Sequence, residues 1–398
     1  MRRREFLASA AVVPLLRGQS GKKRIACISS TYHVRSHSDN IITRFLEGYW
    51  IGPKYYEPPF EVASLWMDQK HPADVGHQLA KAYGVPVMKT IADAVTLGTG
   101  KLAVDAVIVV CEHGEYPHNE KQQQLYPRFE FFEQVVQVFK SSGRSCPVFT
   151  DKHLSYDWKK AKRMYDWSHE LKFPLMAGSS VPVTFRRPEY DPALGTEMDA
   201  ALSVGGGWVA DGGIFHILET LQAFVERRKG GEVGVRSVQM LKGDAVWKAA
   251  EQGLWRRELL DAVVARQQKP RSGKRPEDTP AVLGLVEYRD GFHGAVLASP
   301  GINEYLVAVK PKGKSPEATL CYLPIENSNN FSMLVHGITQ MIATGKRPYP
   351  VERTLLVTGA LAGLMDSGFQ DGKRMETPEL SIGYNPPLKS WYAPGEGS

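Results

Sequence analysis

The run Val104 to Cys111 (VDAVIVVC) is almost entirely apolar, and few places in a folded chain accept such a run. A strand with one face in water alternates polar and apolar residues, whereas a strand of a parallel sheet is covered on both faces by crossover helices and stays apolar throughout. Shorter β-leaning runs flank it: Arg24 to Ser29 (RIACIS), Val62 to Met67 and Pro147 to Thr150. Between them, Thr43 to Tyr49, Leu79 to Tyr83 with Gly84 as its stop, and the amphipathic Phe129 to Phe139 read as helices. A stretch rich in Gly, Pro and Tyr, from Gly52 to Pro59, separates the first helix from the second strand. Strands alternating with helices predict an α/β doubly wound parallel sheet over 22–150, whose strand ends are suited to hold a nucleotide.

The pattern changes beyond residue 200. Val235 to Leu241, Ala281 to Tyr288, Gly294 to Ala298 and Tyr305 to Val309 follow one another with turns such as Arg289-Asp290-Gly291 between them. This predicts an α+β domain over 151–398 with a mostly antiparallel open sheet and flanking helices. Lys269 to Thr279 (KPRSGKRPEDT) has no apolar residue and reads as a solvated loop. A chain of 398 residues with 42% apolar and 23% charged content has room for both domains.

The N-terminus, MRRREFLASAAVVPLLRGQS, pairs Arg3-Arg4 with Phe6-Leu7 and a short apolar stretch. This matches a twin-arginine export signal over 1–21 and implies a protein exported already folded, to the periplasm; the alternative is a basic, frayed terminus. No later segment reaches the ~18 uninterrupted apolar residues of a membrane span. The net charge of +6 owes nearly half its excess to Arg2, Arg3 and Arg4, which argues against a nucleic-acid partner. Cys27, Cys111, Cys146 and Cys321 show no paired spacing and read as core thiols.

Motif order adds a further signal. Asp68 ends the second strand, Tyr83-Gly84-Val85-Pro86 closes the next helix, and Val104 to Ile108 opens the third strand. Thr150-Asp151-Lys152-His153 ends the fourth. Gly205-Gly206-Gly207 and Asp211 to His216 form a glycine-rich helix start, and Thr344 to Pro348, Ser367 and Ser381 to Tyr384 lie near the end. This order resembles the glucose-fructose oxidoreductase and inositol dehydrogenase (Gfo/Idh/MocA) family over nearly the whole chain. The resemblance implies a Rossmann-type first domain, NAD or NADP as cofactor, a sugar or cyclitol substrate and a homo-oligomer paired through its open sheets. Residue by residue, it implies that Lys152 orients the substrate hydroxyl, that His216 is the general base, and that Asp211 or Glu219 assists. Asp68 would take the ribose diol, and Ser29, Ser30, Thr31, Glu112 and His113 would face the nucleotide. Tyr156 and Arg187 are candidate substrate contacts, with packing and surface roles as the alternatives.

Three departures stand out. Ser29, Thr31 and Val34 occupy the places of the phosphate-loop glycines, so the backbone cannot approach a pyrophosphate in the usual way. His153 follows Lys152 where the family has proline. Gly212 falls on the family's aspartate place, leaving Asp211 five residues before His216 rather than four. The strand ends also carry His33, His37, Asp39, Glu112, His113, His118, Asp151 and His153. These are nitrogen and oxygen donors suited to a divalent transition metal in a non-redox carbohydrate enzyme, although their spacings match no metal motif. A sugar-binding protein without catalysis is the third alternative.

Overall fold

The computed structural model describes residues 21–206, 211–269, 276–324, 326–395 and 397. Residues 1–20, which carry the expected export signal, Gly207 and residues 270–275 of the expected solvated loop lie outside them.

β1 (Lys23–Ser29) enters the core at Ile25 and stays buried to its end. α1 (His37–Glu47) starts six residues before the expected Thr43 because Ser36 caps it, its hydroxyl accepting the Asp39 N–H. Gly48, at φ 80°, ends it. Tyr49, expected in the helix, instead opens a hairpin of β2 (Tyr49–Ile51) and β3 (Lys54–Tyr56). β4 (Phe60–Met67), α2 (Gly76–Tyr83) and α3 (Ile91–Thr96) lead to β5 (Ala106–Val110), buried at every residue as its composition requires. α4 (Arg128–Ser142) lays Phe132, Val135, Val136 and Phe139 against the sheet, each contributing about 1.5–3 kcal/mol by leaving water. Then come β6 (Val148–Asp151), α5 (Trp158–Glu170) and β7 (Leu175–Gly178).

Among the described residues these strands form one parallel sheet in the order β4-β1-β5-β6-β7. The sheet therefore runs past residue 150, the boundary read from the sequence, to a further strand ending at Gly178. Val87 adds a single parallel bridge to Leu65 on the outer side of β4. Counted as a rudimentary strand, it completes the order of a dinucleotide-binding sheet and places the topological switch point between β1 and β5.

The second half begins with β8 (Phe185–Arg187), β9 (Met198–Gly206), α6 (Asp211–Val225), β10 (Val235–Lys242), α7 (Asp244–Glu251) and α8 (Arg257–Val264). It continues with β11 (Val282–Tyr288), β12 (His293–Ser299), β13 (Tyr305–Pro311), β14 (Glu317–Tyr322), α9 (Ser332–Thr344), α10 (Val351–Phe369) and β15 (Met375–Glu376). The strands make one sheet, β15-β10-β11-β12-β9-β13-β14-β8, antiparallel except between β12 and β9. α6 and α10 cover one face through Ile214, Leu218, Leu221, Leu361 and Leu364. The other face is not open. Trp255, Leu259, Leu260 and Val263 of the α7–α8 segment pack there on Leu202, Leu306 and Leu320. α9 returns to the parallel sheet, burying Leu334, Val335 and Ile338 with Ile25 and Val110.

Candidate active site

The loops after β1, β5 and β6 and the start of α6 meet at the C-terminal ends of the parallel strands, where a doubly wound sheet places its ligands. Lys152 follows β6 directly in a left-handed conformation, φ 61°, a setting that costs a non-glycine residue about 1 kcal/mol or more. Its N–H is held by the Gly178 carbonyl at 3.1 Å, and its buried ammonium donates to Glu112 Oε1 at 2.9 Å. Glu112 Oε2 accepts from Arg128 Nη2 at 2.5 Å, and Arg128 Nη1 reaches His153 Nε2 at 3.2 Å. Arginine can only donate, so the His153 proton sits on Nδ1. Burial opposes both charges of the central pair. Lys152 and Arg128 outweigh it at Glu112, and Glu112 and Asp151 outweigh it at Lys152. The carboxyl is thus held well below its usual range and the ammonium above its own.

Asp151, the last residue of β6, is fully buried and its Oδ2 lies 2.6 Å from His37 Nδ1. With Nδ1–H donating to the carboxylate, His37 Nε2 is left as an acceptor. The His113 ring centre is 5.4 Å from His37, and His33 stands 5.3 Å from His113 and 4.1 Å from His71. His216, on α6, is buried with its ring 5.6 Å from Tyr305. Burial, and then the neighbouring charge of Lys152, hold its pKa well below the ordinary value. His216 is therefore neutral at pH 7. Burial likewise raises the Asp211 carboxyl against the pull of Arg128. It also pushes Glu219 up to about 7, although Ser179 donates to that carboxylate from N and Oγ at 2.8 and 2.7 Å.

Among the described residues, Thr31 Oγ1, His113 Nε2, Thr150 Oγ1, Asp151 Oδ1, His153 Nδ1, Asp211 Oδ2 and His216 Nδ1 are buried without a protein partner. Buried polar atoms are almost always satisfied, so this crevice is built to meet hydrogen-bonding groups from outside the chain.

A nicotinamide nucleotide does not fit it in the ordinary pose. The start of α1, where a pyrophosphate would lie, carries the buried carboxylate of Asp39, which accepts from Arg35 N at 2.8 Å and Thr43 Oγ1 at 2.9 Å. Ser29 and Ser30 are buried and their hydroxyls are spent inside the protein, on Thr31 O and Ser38 and on the Glu112 carbonyl. Thr31 alone of the three retains a bare hydroxyl. Asp68 accepts from Tyr116 at 2.7 Å, and Gln69 bonds both N and O of Glu115, so the β5–α4 loop lies over the ribose position. The His37–Asp151 bond spans the end of β5, across the path from the α1 start to Lys152.

Lys152, His216, Asp211, Glu112 and His113 are thus brought together, whereas two expected substrate contacts are not. Tyr156 OH accepts from Lys160, which also pairs with Glu130 on the α4–α5 surface. Arg187 stacks on Tyr322 and bonds Gln268 and the Gly397 carbonyl at the sheet edge. Among the described residues, no group of three or more His, Cys, Asp or Glu side chains is arranged to hold a metal ion, and no helix is long and apolar enough to cross a membrane. The sequence reading missed Arg128, Tyr305 and the pairing of His37 with Asp151. Only Arg128 carried a signal: a cation opening a helix opposes the helix dipole and calls for a buried partner.

No family profile matches the chain, and no curated protein matches its sequence. Solved structures do match. GenD2 from gentamicin A biosynthesis, in complex with NAD, superposes with a TM-score of 0.55 at 14% identity, covering 92% of this chain and 99% of that one. The fold is that of these dehydrogenases. The myo-inositol 2-dehydrogenase of Lactobacillus plantarum gives 0.55 at 10% identity over 89% and 99% of the two chains. UDP-N-acetylglucosamine 3-dehydrogenase GnnA from Acidithiobacillus ferrooxidans gives 0.52 at 9% over 88% and 99%. This dehydrogenase fold supplies the two-domain frame, while the groups at its crevice are the chain's own.

Proposed function

We propose that the chain is an enzyme moving protons at the carbon beside the carbonyl of a sugar or keto-cyclitol, exported folded by the twin-arginine route to the periplasm. The observation that carries the reading is the gathering of Lys152, His216 and the His37–Asp151 pair in one buried cluster whose remaining polar atoms lack partners among the described residues. Lys152, protonated, donates to a substrate carbonyl oxygen and offsets the negative charge that develops there. His37 Nε2, its ring oriented by Asp151, removes a proton from the adjoining carbon. Return of that proton to the opposite face inverts the centre; departure of a β-oxygen instead, protonated by a neighbouring acid such as Asp211, gives elimination. Neutral His216 and Asp151 Oδ1 accept from the substrate's other hydroxyls.

A second reading, oxidation of a sugar or cyclitol hydroxyl with NAD or NADP, is favoured by the shared fold of the solved dehydrogenases. It requires the nucleotide to displace the Asp39, Tyr116 and His37 contacts described above.

The two are separated by incubating the full protein in deuterated buffer with sugars, cyclitols and their keto derivatives, with and without nucleotide. Proton spectra should show exchange beside the carbonyl without nucleotide, and Lys152→Ala should abolish it. Exchange or turnover only with NAD(P), accompanied by nicotinamide reduction, would establish the second reading. Binding without turnover under both conditions would leave a sugar-binding protein.

A further inference from the structure

Gly212 is the second residue of α6, and a side chain there would project toward the lysine: among the described residues beyond its own turn, the nearest atoms to an ideal Cβ are Lys152 Nζ at 3.8 Å and Glu112 Oε1 at 4.0 Å. The position therefore faces Lys152, has room for a side chain, and contributes none. Asp211 does not compensate, since its Oδ1 is turned back to the Gly212 N–H at 2.8 Å and its Oδ2 has no partner. The carboxylate that meets Lys152 arrives from across the crevice, on Glu112, the second residue after β5. We infer that Glu112 is the positioning residue for Lys152, doing from β5 what α6 leaves undone at Gly212, with Arg128 fixing Glu112 in turn.

Several observations support the assignment. Both carboxylate oxygens are committed, Oε1 to Lys152 and Oε2 to Arg128, so Glu112 cannot rotate and the lysine tip has one resting place. Arg128 is among the most deeply buried side chains of the chain and is itself tied to His153. A lysine stem has four rotatable bonds, and only a fixed partner holds its ammonium to one point. The remaining charged or titratable groups coupled to Lys152 are Asp151, Tyr305, Asp211, His113, His153 and His216; of these Asp151 is bonded to His37. Glu112 is the carboxylate that bonds the lysine directly.

The inference rests on the reading of Lys152 as the group that meets substrate, and its test does not need a substrate. Protein carrying 15N-labelled lysine is titrated by NMR, the Lys152 Nζ signal being identified by its loss in Lys152→Arg. Removing an opposite charge at this distance shifts a pKa by about 1–3 units, so Glu112→Gln should lower that of Lys152 by this amount. Adding Gly212→Asp to Glu112→Gln should restore it to within about half a unit of the native value. Should Glu112→Gln alone fail to fold, because two buried cations lose their counter-ion, the second substitution should recover folding. A Lys152 pKa unmoved by Glu112→Gln, or a Gly212→Asp that restores neither the lysine nor the fold, overturns the inference. Lack of turnover with every sugar and cyclitol would strike the proposed function and leave this lysine measurement intact.

Discussion

His37 and Asp151 are 114 residues apart in the chain, yet their side chains share a 2.6 Å hydrogen bond across the end of β5. One belongs to the first turn of α1, the other to the end of β6. The bond orients an imidazole over the switch point of the sheet and at the same time bars the route a dinucleotide would follow.

If that pair acts as the base, Asp151→Asn should cost about 10²–10⁴ in exchange rate, because an amide can donate to Nδ1 and leave the proton on Nε2. The fold should persist, since the side chain keeps its volume. Rates within threefold of native would remove His37–Asp151 from the mechanism.

Glu219 imposes a pH signature. Its native pKa of about 7 lies above the unfolded value of 4.5, so the native state holds a proton there that the unfolded chain has lost, and stability falls as pH rises from 4.5 through 7. Glu219→Gln keeps an acceptor for Ser179 and removes the penalty. Denaturant unfolding should show it stabilised by roughly 3 kcal/mol at pH 8.5 and nearly unchanged at pH 4.5; equal effects at both would contradict the assignment.

His113 acts at the acid side with the opposite slope. Burial, followed by the charge of His37, lowers it from 6.5 to about 4. Between those values the unfolded chain takes up a proton that the native site refuses, so stability is lost as pH falls through that window. Melting temperatures measured from pH 7 to pH 4 should drop less steeply for His113→Asn than for the native chain.

Gly76 pins the β1–α1 loop. Tyr32 O accepts from Val75 N at 2.9 Å, and a Cβ on residue 76 would come within 2.8 Å of Tyr32 Cβ and 2.5 Å of Met67 Sδ. Gly76→Ala should cost about 1–3 kcal/mol by forcing the loop and α2 apart. Urea unfolding checks it, and a loss below half a kcal/mol would mean that the loop is not held there.

What the sequence by itself determined is the architecture. The unbroken apolar run through β5 needs cover on both faces, the changed rhythm beyond residue 200 needs a second sheet, and both conclusions follow from local pattern because periodicity is written residue by residue. The crowding of imidazole and carboxylate at strand ends was also legible, since parallel strands must deliver their following loops to one rim. Partnership was not. That His37 bonds Asp151, that Glu112 spends both oxygens on Lys152 and Arg128, that Tyr116 bonds Asp68, and that α7 and α8 pack on part of the second sheet are consequences of which distant segments come within 3 to 5 Å. Burial then decided the charges: the same histidine type that titrates near neutrality in water is kept neutral at His216, because only the folded chain removes its solvent and sets a lysine beside it.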